Sequence, residues 1–163
     1  MSATVFDTPL DERSLIEASA GTGKTYALAG LFARAVIVHR LAVPQILAVT
    51  YTVAATQELH ERVRLRLHRA SQLMAHWPGD DANGDDAAET ALLRQLLHTA
   101  LQDESVAALR LRLLRAVRDL DLAAITTIHG FCQRLLAEHA LLAGQPLLAT
   151  DIELLWPGAN LDS

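Results

Sequence analysis

A chain of 163 residues and 17.7 kDa has the length of one domain, and folding at that size buries about 69% of the unfolded surface. With 51% hydrophobic and 20% charged residues it is too apolar for intrinsic disorder, yet no apolar run reaches the ~18 residues of a membrane span. The net charge of −5 excludes a whole-chain basic footprint, so any polyanion would have to be met by a local stripe.

Residues 1–7 carry neither the basic nor the apolar region of a secretory signal. The single cysteine, Cys132, excludes an internal disulfide, and a reducing, cytoplasmic compartment with no membrane partner is expected. Leu15-Ile16-Glu17-Ala18 reads as a short strand, followed by a Gly-rich turn from Ser19 to Gly23. From Lys24 to Arg40 the residues are mostly Ala, Leu, Val, Ile and Phe without Pro, which predicts a helix apolar on most sides and hence buried. Gln45–Thr50 reads as a short buried parallel strand.

Ala54 to Ala75 is a long amphipathic helix: Ala55, Leu59, Val63, Leu67, Ala70 and Met74 recur at three- and four-residue spacing. Arg62, Arg66 and Arg69 form another face, read as solvated. An acidic loop from Pro78 to Asp86 leads to two further helices at roughly 87–102 and 105–119. Leu122–Thr127 reads as a third strand, and His129–Ala143 as the helix after it, ended by Gly144 and Pro146. Cys132 falls at helical spacing between Phe131 and Leu135, as a small buried residue would. The tail 147–163 has no clear period. This alternation predicts an α/β fold with a parallel sheet.

The turn carries the chemistry. Ala18-Ser19-Ala20-Gly21-Thr22-Gly23-Lys24-Thr25 matches the phosphate-loop pattern G-x-x-x-x-G-K-[ST], with Ala18 in place of the first Gly. Gly21 and Gly23 let successive amides point inward as an anion nest, and the helix beginning near Lys24 adds its positive end. Lys24 is the chain's only lysine among thirteen arginines; a compact ammonium on a long stem suits β- and γ-phosphates where a planar guanidinium does not. The Thr25 hydroxyl suits Mg²⁺, a hard ion that prefers oxygen. ATP and Mg²⁺ are the expected cofactors, with Lys24 and Thr25 in the catalytic roles.

The residues around this loop resemble superfamily 1 DNA helicases of the UvrD/Rep type. Glu17–Thr25 is similar to their motif I, in which Ala at the first position is usual. Val49-Thr50-Tyr51-Thr52-Val53-Ala54-Ala55-Thr56-Gln57-Glu58-Leu59 resembles motif Ia, and Ile125–Leu135 resembles motif Ib. Within that group the wording is most similar to the exonuclease V beta-subunit branch. The resemblance covers residues 15–136, in the family's order. It implies a RecA-like, P-loop NTPase fold and an ATP-dependent motor on single-stranded DNA, working in recombinational repair of DNA breaks beside the other exonuclease V subunits, RecC and RecD. Carried over, Thr50, Tyr51 and Thr52 would meet DNA phosphate and base, as would Thr127 and His129. Taken alone, Tyr51 reads as core after a buried strand, and His129 as an ordinary helix-start histidine; only the joint motifs lift them. The physics agrees: hydroxyls and helix N-termini bond phosphate oxygens, and an aromatic ring stacks on a base for about 1–3 kcal/mol.

The departures are as informative. A helicase of this kind needs an apolar strand ending in Asp-Glu, to hold Mg²⁺ and activate water. The adjacent Asp-Glu pairs here, Asp11-Glu12 and Asp103-Glu104, follow no such strand. No Gln precedes Gln45, so the upstream adenine-reading Gln of the superfamily is missing. The expected organisation is residues 1–75 with 122–146 as part of helicase domain 1A, 76–121 as a helical insertion like the start of domain 1B, and 147–163 as a truncated tail. The chain is expected to be an N-terminal piece of a longer helicase, inactive alone. The alternatives are a small P-loop phosphotransferase, whose Arg-rich lid has no counterpart here, and a non-catalytic interaction module.

Overall fold

The computed structural model describes residues 8–10, 12–16, 23–78 and 87–142. Within them are five α-helices and a two-stranded parallel sheet, a mixed α/β arrangement. Helix α1 spans Lys24–Ile37 and buries Ala27, Ala29, Gly30, Phe32, Ala33, Ala35, Val36 and Ile37, so it is covered on several sides as its composition predicts. Its end is closed without glycine. Arg40 takes the left-handed conformation at φ 60°, the Leu41 amide donates to the Ala35 carbonyl at 3.0 Å, and the Arg40 guanidinium donates to the Asp103 carbonyl at 3.1 Å. A 3₁₀ turn at Val43–Gln45 follows.

Strand β1 is Leu47–Thr50. Helix α2, Val53–Ala75, starts on Thr52, whose hydroxyl accepts from the Ala55 amide at 3.1 Å, a cap worth about 1 kcal/mol. It buries Leu59, Val63, Leu67, Ala70 and Met74 of the predicted stripe and leaves its first member, Ala55, half-buried. Helix α3, Ala87–Ala100, contributes Leu92, Leu93, Leu96 and Leu97 to the same core. Helix α4, Val106–Arg118, is capped by Ser105 and adds Leu109, Leu113 and Ala116. Two of its arginines close other helices: Arg112 donates to the Ile37 carbonyl at 2.6 Å, and Arg110 to the Met74 and Ala75 carbonyls at 2.9 and 3.1 Å.

A second 3₁₀ turn, Asp119–Leu122, leads into strand β2, Ala124–Thr127, and then helix α5, Ile128–Leu142. The two strands pair in parallel, with Leu47 opposite Ala124 and Thr50 opposite Thr127. Ala48 and Ile125 lean on the helical core. The other face of β1 is open: Leu47 and Val49 are exposed.

Four sequence expectations are corrected. Leu15 and Ile16 are in no strand, and Leu15 is 84% exposed; the rest of that predicted strand, Glu17 and Ala18, lies outside the described residues, as do the acidic loop at 79–86 and the tail 147–163. Strand β1 is not buried on both faces. Cys132 is exposed, because the apolar side of α5 has no opposing layer among the described residues. Arg66 is not on a solvated face: it is buried at 4% exposure, while Arg62 and Arg69 do face solvent. Among the described residues, no helix is long and apolar enough to cross a membrane.

Candidate nucleotide and nucleic-acid site

The parallel register brings the C-terminal ends of β1 and β2 side by side, and a helix starts immediately after each. Between β1 and α2 three threonines tie a knot. The Thr50 and Thr56 hydroxyls lie 2.5 Å apart, and both reach the Thr52 carbonyl, at 3.1 and 3.0 Å. Thr52 in turn caps α2. With its neighbours so fixed, Tyr51 is turned outward and is 89% exposed. The core reading of this ring therefore fails, and its face is open to a stacking partner. The Thr50 hydroxyl is used inside the turn, whereas Thr52 accepts one bond and keeps its proton to donate.

After β2, the Thr127 hydroxyl accepts from the Gly130 amide at 3.1 Å and so closes the start of α5; His129 beside it is exposed. The positive ends of α2 and α5 thus open at one edge of the sheet, with Tyr51, Thr52, Thr127 and His129 around them. That combination of helix ends, hydroxyls and a ring suits an anionic backbone carrying bases.

Lys24 and Thr25 belong to a different stretch of the molecule. Gly23 precedes α1 at φ 88°, the left-handed region glycine tolerates, and no side chain caps the helix. Lys24 is exposed, and it has no ion pair among the described residues. Ala18, Ser19, Ala20, Gly21 and Thr22, the rest of the predicted phosphate loop, lie outside the described residues. Tyr26, the residue after Thr25, is held by Arg66, which stands in the middle of α2, about 20 Å along that helix from Val53. Among the described residues no three His, Cys, Asp or Glu side chains converge as a metal site.

Sequence reasoning missed Arg66, Glu89, Thr56 and Gly130. Thr127-x-x-Gly130 has the spacing of a helix cap and was legible; Arg66 and Glu89 are 23 residues apart, and no local periodicity links them.

The comparisons with known proteins fit this arrangement. The UvrD/REP helicase N-terminal domain family matches residues 4–155, and the chain belongs to that family. Among its curated relatives is the RecBCD enzyme subunit RecB of Haemophilus influenzae, 40% identical over 147 residues, covering 83% of this chain and 11% of the relative. The RecB subunit of Escherichia coli is 38% identical over 144 residues, with 83% and 11% covered. That of Mycolicibacterium smegmatis is 41% identical over 120 residues, with 74% and 10% covered. The chain therefore spans about a tenth of the length of these relatives.

Proposed function

We propose that this chain is the nucleotide-binding and single-stranded-DNA-contacting part of an ATP-dependent helicase of the RecB kind, with a P-loop NTPase fold. Its setting would be recombinational repair of DNA breaks, in a complex with RecC- and RecD-like subunits, as the names of the relatives suggest. In this reading residues 1–75 and 122–146 belong to domain 1A, and 76–121 to a helical insertion at the start of domain 1B. The observation that carries the DNA half is the outward Tyr51 ring beside two helix N-termini at one sheet edge.

The fit to nucleotide rests on α1. Its first turn has a left-handed Gly23 and no side-chain cap, so backbone amides there suit phosphate oxygens. Lys24, exposed and without an ion pair among the described residues, would neutralise β- and γ-phosphate charge. The Thr25 hydroxyl would offer Mg²⁺ an oxygen ligand, and Ala18 to Thr22 would complete the cradle. Bound Mg·ATP supplies the phosphoanhydride whose cleavage drives the motor. The chain's own residues bind and orient it. Among the described residues, Glu104 of the Asp103-Glu104 pair is not free to activate water, since Arg112 engages it through both oxygens. Turnover by this chain alone is accordingly expected to be negligible. Membership of a helicase family sets the phosphotransferase reading aside.

Fluorescence anisotropy with a single-stranded oligonucleotide tests the DNA half. Affinity should lie in the non-specific range of about 10⁻⁴–10⁻⁶ M and fall steeply with salt. Tyr51→Ala should cost about 1–3 kcal/mol, and Tyr51→Phe almost nothing, because the stacking face survives. Since the ring is exposed, neither change should move the melting temperature. Unchanged binding in Tyr51→Ala would overturn the assignment.

A further inference from the structure

Arg66 is the one charged side chain on α2 that is buried, and every arm of its guanidinium is occupied. Nε and Nη2 engage both carboxylate oxygens of Glu89 on α3, the second at 2.8 Å. Nη1 donates to the Tyr26 carbonyl at 2.6 Å. The plane of the group lies over the Tyr26 ring, 4.1 Å from its centroid. Three helices therefore meet at one fork, and the point gripped on α1 is the residue directly after Lys24 and Thr25.

A buried arginine bonded to a backbone carbonyl does something a hydrophobic side chain cannot. It fixes the direction of a peptide group as well as its position. Among the described residues the first turn of α1 has no side-chain cap, and Arg66 holds it from another helix. Glu89 holds the guanidinium in turn through a two-point contact that fixes its plane.

We propose that Arg66 is a positioning residue for the phosphate-binding turn: from the middle of α2 it holds the Tyr26 carbonyl, and with it the amides of Lys24 and Thr25, in the orientation a nucleotide phosphate requires. This rests on the nucleotide reading above and adds to it a residue outside the loop. Glu89 acts through Arg66 and touches nothing at the phosphate.

Removing one partner of a buried ion pair is strongly destabilising, whereas replacing both by apolar groups of similar volume is often tolerated. The telling variant is thus Arg66→Met with Glu89→Met, compared with Glu89→Gln, which keeps Arg66 on Tyr26. The readouts are titration with a non-hydrolysable ATP analogue and Mg²⁺, amide hydrogen exchange along α1, and single-stranded-DNA affinity without nucleotide. In the double variant the analogue should bind about tenfold more weakly, the loss of one charge-assisted hydrogen bond. Exchange should quicken at the start of α1 and stay slow at Leu59, Val63 and Leu67, and DNA affinity should not change. Glu89→Gln leaves Arg66 without its counter-charge and should lower the melting temperature, but the folded molecule, with Arg66 still on Tyr26, should bind the analogue within about twofold of the wild type. A folded double variant with wild-type nucleotide affinity overturns the proposal. So does a parallel loss of nucleotide and DNA binding with uniformly faster exchange, since that is a merely structural role. A folded wild-type chain that binds no analogue sinks the nucleotide reading, and this inference falls with it.

Discussion

A methyl group added at Gly130 would lie 2.7 Å from the Thr126 hydroxyl oxygen, closer than side-chain carbons approach such atoms, and 3.3 Å from that of Thr127. The start of α5 is thereby seated directly on the end of β2, with no room between them. Gly130→Ala should destabilise the chain by about 1–3 kcal/mol through overpacking. Adding Thr126→Ala, which removes the obstructing atom, should recover much of the loss. Thermal melting of the two variants checks this; a single variant as stable as the wild type would mean that the contact yields.

Lys24 is exposed, so its side chain supports no packing. Lys24→Ala should abolish binding of Mg·ATP and leave the far-UV circular dichroism unchanged. Equal titration curves for the two proteins would remove the phosphate role from this residue. Base preference should be slight, because the chain has no Gln before Gln45 to read adenine.

Hydrolysis is expected near background. Neither β1 nor β2 ends in the Asp-Glu pair that would hold Mg²⁺ and activate water, and an arginine finger, where helicase-like enzymes have one, supplies about 10³–10⁵ in rate. A phosphate-release assay on the purified 163-residue chain checks this. Turnover of several per second that vanishes in Thr25→Ala would show that the catalytic machinery is complete after all.

Leu47 and Val49 on the outer face of β1, and Ile128, Leu135 and Leu136 on α5, are exposed. Exposed apolar side chains favour association where they adjoin. The chain should bind an environment-sensitive apolar dye and sediment faster as its concentration rises. Leu135→Gln with Leu136→Gln should weaken both effects. It should leave the melting temperature within about 1–2 °C of the wild type, since surface changes away from packed features are nearly neutral. Dye binding unaffected by the pair would locate the apolar surface elsewhere.

The helices were legible because their signal is local. The stripe from Leu59 to Met74 specifies the buried side of α2 wherever the partner lies, and Thr52 and Ser105 mark helix starts by the chemistry of their hydroxyls. Failures came where burial depends on a distant element. Arg66 follows the same spacing as Arg62 and Arg69, but among the described residues it alone of the three meets a carboxylate on another helix, Glu89, 23 residues away, whereas Arg62 pairs with Glu58 one turn back on its own helix. Cys132 and β1 were read as buried from their own pattern, which records the side that seeks cover and not whether the chain provides it. Tyr51 shows the converse: a ring after an apolar strand reads as core until the threonine turn around it is seen to face outward. The phosphate loop is read from its motif, and Ala18 to Thr22 lie outside the described residues.

The parallel pairing of β1 with β2 means that everything from Tyr51 to Ala123 intervenes between partners that touch. Helices α2 and α4 meet across a shorter stretch, Arg110 reaching the Met74 carbonyl 36 residues away, while the strands meet only after that long segment has been made and folded back. Closing such a loop carries an entropic cost that local contacts do not bear, and long-range pairing is slow for that reason. The edge that bears Tyr51, Thr52, Thr127 and His129 is therefore expected to be the last part of the molecule to assemble as the chain leaves the ribosome. It is also expected to be the first to come apart in the folded protein, opening on its own while the helical core stays closed.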